Sequence, residues 1–286
     1  MKIAVIGGDK RSIGLAKMLW EDGHDIKVFG FNKLEDTSLN HIDDMNLAIK
    51  ESETIIGPLP CSKDNIILNT PFNLEEILLE EVFSLMESNQ IFIGGKITEK
   101  ISDIAGIYNI STIDLLEREE MAVLNAIPTA EGAIQVAMEN IDITLHGSNI
   151  MILGFGRIGK ILAKMLHGIG SNVFVEARNH TDLAWISSYG YIPIHLDSIN
   201  DYIHNMDVVF NTIPTMVLGE NLLVKMKKES LIVDLASIPG GIDFKKAEEL
   251  EIKTIWALGL PGKVAPITAA KVMKETIYNI VGELEG

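Results

Sequence analysis

The chain has 286 residues, a formal net charge of −16, 47% hydrophobic and 22% charged residues, and a single cysteine. Such a length supplies one or two domains with chain enough for two cores. The acidic balance argues against a nucleic-acid partner and against binding to an anionic membrane surface, so an anionic ligand must be held by local N–H groups and a few bases. Cys61 alone cannot form an internal disulfide and suits a reducing, cytoplasmic setting. No apolar run approaches the ~18 residues of a membrane span, and the first strand leads straight into a glycine turn rather than a signal peptide.

In chain order, a strand over 2–6 is followed by Gly7-Gly8-Asp9-Lys10-Arg11 and a helix to about residue 22. This is a Rossmann-like opening without the full glycine fingerprint. The next strand, 26–30, ends in Phe31-Asn32 instead of an acid, which reads as a scaffold rather than a second nucleotide site. Strands recur at 54–57, 91–94 and 111–113. Between them Asn73 and Glu76 have capping-box spacing for a helix over 74–87, with Ile77, Leu78, Val82, Leu85 and Met86 on one face. From 117 to 140 the pattern is helical but broken at Pro128, which suits the first turn of a new helix. Further strands are expected at 149–153, 172–176, 191–194, 207–212, 231–235 and 253–257. A last helix, within 265–286, can return to pack on the first domain. Alternating strands and helices predict an α/β protein of two Rossmann-like, doubly wound parallel-sheet domains, 1–127 and 128–286, with an interdomain cleft.

The most informative stretch is Asn149 to Gly159, NIMILGFGRIG, a β-prone run followed by G-x-G-x-x-G and a helical pattern. Gly154 permits the tight turn, Gly156 lets a pyrophosphate approach the backbone, and Gly159 lets the helix pack on the strand. The helix N-terminus, with Arg157 and Ile158, offers N–H groups and a partial positive charge to the phosphates. At the tip of the following strand, Ala177 stands where an acid would bind a ribose diol, and Arg178 can pair with a 2′-phosphate. Strand alternation turns Glu176 to the other face. The expected cofactor is NADP.

Ligands in open parallel sheets bind beyond the carboxyl ends of the strands. In the second domain this adds Thr212, Pro214, Ala236 and Ser237 to the cofactor set, and in the first it singles out 7–11 and Gly94-Gly95-Lys96. The seven histidines lack metal-ligand spacing and there is no cysteine cluster, so no metal is expected.

Several of these loops are more specific than a glycine motif. KIAVIGGDKR at the start, IPTAEG at 127–132, ITLHGSNIMILGFGRIG at 143–159, NTIPTMVL at 211–218, LIVDLASIPGGIDF at 231–244 and LGLPGKVAP at 258–266 occur in this order. Together they resemble the A subunits of dipicolinate synthase from spore-forming bacteria, essentially end to end. The resemblance implies two Rossmann-like domains and NADP binding by the second. It also implies the formation of dipicolinate (pyridine-2,6-dicarboxylate) from a dihydrodipicolinate-level precursor during sporulation. It further implies partnership with a flavoprotein-like B subunit, in the mother-cell cytoplasm. A homo-oligomer is a separate expectation, which the resemblance does not carry.

Oxidising a dihydropyridine needs a hydride acceptor and a base, and a dicarboxylate substrate needs cationic anchors. There are four arginines, of which Arg157 and Arg178 belong to the cofactor by position and Arg118 sits among acids. Arg11 and Lys96 are therefore the candidate substrate anchors. Lys96, Glu131 and Asp234 are the candidates for proton transfer, although Glu131 also suits a helix-dipole role and Asp234 also suits organising the 236–241 loop. A non-catalytic subunit that presents or senses NADP, and a different two-domain NAD(P)-dependent dehydrogenase, are the alternatives. A 2-hydroxy-acid dehydrogenase would carry an arginine just after the 231–235 strand and a later histidine. Here Ser237 follows Ala236, no arginine follows Arg178 and no histidine follows His204.

Overall fold

The structure, a computed structural model, describes residues 1–33 and 39–285. It separates into two compact units, Met1–Leu124 with Ala265–Gly286, and Asn125–Val264. The terminal Gly286 lies outside the described residues. No helix among the described residues is long and apolar enough to cross a membrane.

The first unit is built on strands β1 (Lys2–Ile6), β2 (Asp25–Phe29), β3 (Thr54–Ile56), β4 (Ile91–Gly94) and β5 (Ser111–Asp114). They form one sheet in the order β2-β1-β3-β4-β5, and all its pairings are parallel. Alternate residues of β1 feed two separate cores. Ile3 and Val5 join one cluster and Ala4 and Ile6 the other, so the strand is apolar throughout, as a sheet covered on both faces requires. The final helix Pro266–Glu285 supplies Ala270, Val272, Met273, Ile277 and Ile280 to the first of those cores. It packs against the helix Lys10–Glu21, where a Cβ at Gly14 would come within 3.1 Å of the Ala270 Cβ.

The second unit has strands β6 (Asn149–Leu153), β7 (Asn172–Ala177), β8 (Ile192–His195), β9 (Val208–Asn211), β10 (Leu231–Asp234) and β11 (Lys253–Trp256). Their order is β11-β10-β9-β6-β7-β8, again all parallel. Counted from β6, this is the doubly wound nucleotide-binding arrangement, and its order reverses between β6 and β9, where such sheets bind ligands. Ile150 and Ile152 face one core, Met151 and Leu153 the other.

Two local expectations are corrected. Pro128 does not break the chain, because a single helix runs through it from Glu119 to Asn140. Proline removes one helical N–H bond, but Met121 on one side and Ala130, Ala133 and Ala137 on the other are anchored in the cores of their own units. The carbonyl of Asn125 also receives the Thr129 hydroxyl at 2.8 Å. The helix expected over 74–87 is confined to Leu79–Leu85. Asn73 is buried and its Nδ2 donates to Glu75 O at 2.9 Å, so it shapes a turn, while the Glu81 carboxylate takes the Leu78 N–H at the true helix start.

Candidate active site

The glycine loop that follows β6 has three distinct environments. Gly154 has a φ of +96°, and a Cβ there would lie 2.5 Å from the Thr212 hydroxyl, so only glycine fits this turn. A Cβ at Gly159 would fall 2.1 Å from the Gly154 carbonyl oxygen, which fixes Gly159 as the close contact between helix and strand. Gly156 meets nothing within 4 Å. It is the N-cap of the helix Arg157–Ile169, and no side chain caps that end. The open space beside a bare N-cap is what a phosphate group requires. The residues present therefore fit the pyrophosphate of a dinucleotide.

Beside this loop lies an open groove of about 460 Å³, lined by residues that include Gly154, Phe155, Gly156, Glu176, Arg178 and Pro214. Of the expected cofactor residues it gathers Gly154, Gly156, Arg178 and Pro214. Arg157 and Ile158 lie in the first turn of the adjoining helix, and Gly159 is buried beneath it. Thr212 stands behind the glycine turn, with its hydroxyl donating to Leu153 O at 2.9 Å. Ala236 and Ser237 follow β10, the first buried and the second exposed.

Arg178 is exposed and lines the groove, while its backbone carbonyl meets His195 Nε2 at 3.1 Å. Glu176 departs from the sequence reading. Alternation does place it on the face opposite Ala177, whose side chain joins the other core. Being next to last in the strand, however, its side chain reaches over the sheet edge, and Oε2 accepts the Gly154 N–H at 3.0 Å. The residue is 1% exposed and also lines the groove. Burial raises its pKa, opposed by the Gly154 N–H, Arg178 and His195. The only available signal was the register that sets Glu176 beside Leu153, one residue before the glycine turn.

Asp234, at the end of β10, is fully buried. Its Oδ1 accepts from Asn211 Nδ2 at 2.8 Å and Ala236 N at 3.0 Å, and its Oδ2 accepts from Gly241 N at 3.0 Å. Its carboxylate is thus the pin of the 236–241 loop. Glu131 is exposed on the helix Glu119–Asn140, in the part that belongs to the second unit.

In the first unit the position equivalent to a nucleotide loop is filled by the chain itself. Gly7 N donates to Phe29 O at 2.8 Å and Gly8 N to Asn69 O at 3.1 Å, and the Thr70 methyl occupies the space over Gly7. Arg11 is 8% exposed, with Nε and Nη2 on the Asp9 carboxylate at 2.8–3.1 Å and Nη2 also on the Leu59 carbonyl. Arg11, expected as a substrate anchor, ties Asp9 to the Leu59 segment, with a carboxylate two residues before it within bidentate reach. Lys96 is exposed and holds a φ of +58°, a left-handed backbone that costs a lysine energy. Asp114 fixes it there by accepting the Lys96 N–H at 2.9 Å and the Ile97 N–H at 2.6 Å. Arg118 pairs with Glu120 and Glu283. Among the described residues no cluster of histidine, cysteine and carboxylate side chains could hold a metal.

Comparison with known proteins bears on both units. Residues 2–116 match the family model of the N-terminal domain of the dipicolinate synthase A subunit. Residues 127–237 match that of the D-isomer specific 2-hydroxyacid dehydrogenase NAD binding domain. The chain is 35% identical over 288 aligned residues to the dipicolinate synthase A subunit of Bacillus subtilis (strain 168), covering 100% of this chain and 97% of that one. The crystal structure of that Bacillus subtilis protein superposes with a TM-score of 0.89, covering 100% and 97% of the two chains at 35% identity. That of the Bacillus halodurans dipicolinate synthase A subunit superposes with a TM-score of 0.88 at 31% identity, covering 98% and 97%.

Proposed function

The chain belongs to the family of dipicolinate synthase A subunits, and from that premise we propose that it is an NADP-dependent oxidoreductase subunit forming dipicolinate from a dihydrodipicolinate-level precursor. The observation that carries this reading is the end-to-end likeness to the Bacillus subtilis protein, at 35% identity over 100% of the chain. The nucleotide-binding unit alone would also suit a 2-hydroxy-acid dehydrogenase. That chemistry lacks its arginine here, since Ser237 occupies the place after Ala236 and no arginine follows Arg178.

The bare helix end at Gly156 and the first-turn residues Arg157 and Ile158 would hold the pyrophosphate, with Arg178 on the 2′-phosphate. Thr212, Pro214, Ala236 and Ser237 would border the rest of the cofactor. When bound, the nicotinamide supplies a hydride acceptor. Asp234 acts as a positioning residue by fixing the Ala236 and Gly241 backbone. Lys96 is the proposed anchor for a substrate carboxylate, and Glu131 the proposed acceptor of the ring proton. Arg11 acts indirectly, by holding the Leu59 segment. The proposed partner is a flavoprotein-like B subunit. The proposed setting is the mother-cell cytoplasm of a sporulating bacterium.

The test is incubation of the chain with NADP and a freshly generated dihydrodipicolinate pool, with and without a co-expressed B subunit. Dipicolinate identified by its ultraviolet spectrum in the complete mixture supports the proposal. Turnover of simple 2-hydroxy acids with no dipicolinate refutes it.

A further inference from the structure

The groove of the second unit contains an acceptor with no donor. Glu176 is 1% exposed, its Oε2 is tied to Gly154 N at 3.0 Å, and its Oε1 is buried without a hydrogen-bond partner. An apolar side chain at this position would leave no unsatisfied atom, and orphaned buried polar atoms beside a groove mark places completed by a ligand. The same groove is lined by Gly156 and by Arg178, whose guanidinium charge acts on Glu176. Ala177, at the usual position of the ribose-binding acid, offers only a methyl group.

Resting on the dinucleotide reading above, we propose that Glu176 is a cofactor-binding residue whose Oε1 accepts the hydrogen bond of the adenosine ribose 3′-hydroxyl, while Arg178 takes the 2′-phosphate. The chemistry of the two partners fixes this division. A 2′-phosphorylated ribose keeps one hydroxyl donor, the one at C3′, and its phosphate oxygens are acceptors that a carboxylate repels. On such a ribose the orphaned carboxylate oxygen is matched by the hydroxyl donor, and the phosphate is the stronger, charge-assisted and bidentate acceptor for the guanidinium. The Gly154 N–H holds the other oxygen of Glu176 and keeps the carboxylate beside the glycine turn. The acid thus reaches the sugar from the opposite face of β7, one residue before its usual place, and serves NAD and NADP alike because both carry the 3′-hydroxyl. Discrimination between them falls to Arg178 alone.

The test is calorimetric titration of the full chain with NADP, NAD, adenosine 5′-diphosphate and 3′-deoxyadenosine 5′-diphosphate, repeated with Glu176→Gln. The unmodified chain is expected to bind adenosine 5′-diphosphate about tenfold tighter than its 3′-deoxy counterpart, equivalent to about 1.4 kcal/mol. In Glu176→Gln that ratio is expected to collapse towards one, with NADP and NAD weakened by similar factors. Equal binding of the two diphosphates by the unmodified chain overturns the proposal, and this comparison needs no variant to fold. Loss of NAD binding alone in Glu176→Gln also overturns it, because the carboxylate would then read the 2′-hydroxyl. If the unmodified chain binds none of the four, the dinucleotide reading itself fails, and the proposal with it.

Discussion

Substituting the glycines of the 154–159 loop separates packing from ligand binding. Gly156→Ala adds a methyl group that meets nothing within 4 Å, at a φ of −79° and ψ of −163° that any residue adopts. Alanine is a poorer N-cap than glycine by roughly 0.5–1 kcal/mol, while the loss of unfolded-state freedom stabilises by about 0.4–1 kcal/mol. The two effects nearly cancel, so the unfolding free energy should change by less than about 0.5 kcal/mol. The methyl group nevertheless stands where a pyrophosphate would approach, and dinucleotide affinity should fall by at least ~30-fold, about 2 kcal/mol. Gly159→Ala behaves oppositely. Its methyl would sit 2.1 Å from the Gly154 carbonyl oxygen, a backbone atom that cannot rotate away. Overpacking of this kind costs about 1–3 kcal/mol, so this variant should lose stability as well as binding. Urea denaturation and calorimetric titration of both variants provide the assay. A Gly156→Ala protein that binds the dinucleotide normally, or one destabilised by more than ~2 kcal/mol, would refute the assignment of the open space to a phosphate.

Arg178→Ala should erase most of a preference for NADP of at least ~10-fold, about 1.4 kcal/mol, and leave NAD affinity nearly unchanged; calorimetric competition between the two cofactors checks this. Asp234→Ala leaves the Ala236 and Gly241 N–H groups without their acceptor and takes from the Asn211 amide one of its two, so urea denaturation should show a loss of about 3 kcal/mol or more. Lys96→Gly relieves a left-handed lysine, so stability should stay level or rise by up to about 1 kcal/mol, while product titration should show weaker dipicolinate binding. Burial pushes the Cys61 thiol up to about 12, so it should resist iodoacetamide in the native chain at pH 8 and react on unfolding. Its thiol form stabilises the fold fully below the ordinary thiol range near 8.5, and that contribution should decline as pH rises from there towards 12.

Both parallel sheets were legible because their central strands, such as β1, β6, β9 and β10, are apolar runs bounded by turn residues, and the glycine loop announced itself by strand, glycine and helix in sequence. Boundaries that depend on distant atoms were not. Pro128 looks like a helix break locally, and only the anchoring of Met121 and Ala130 in their cores keeps the helix continuous. Asn73 has the spacing of a cap, but its amide is consumed by the Glu75 carbonyl. In the site, the roles of Gly154 and Gly159 follow from steric rules that hold in any such turn. Glu176 was missed because alternation gives the face of a side chain and not its reach at a strand end. Arg11 could be recognised as a cation, whereas its engagement by Asp9 and the Leu59 carbonyl depends on a loop that folds back from 48 residues away.

The most direct measurement follows NADPH and dipicolinate together in one reaction containing the chain, the proposed B subunit, NADP and the cyclic precursor. One NADPH is expected for each dipicolinate formed, with both signals lost together when Gly156→Ala replaces the natural chain. Dipicolinate that accumulates at an unchanged rate without NADPH, or with the Gly156→Ala chain, would contradict hydride transfer to a dinucleotide held by this protein.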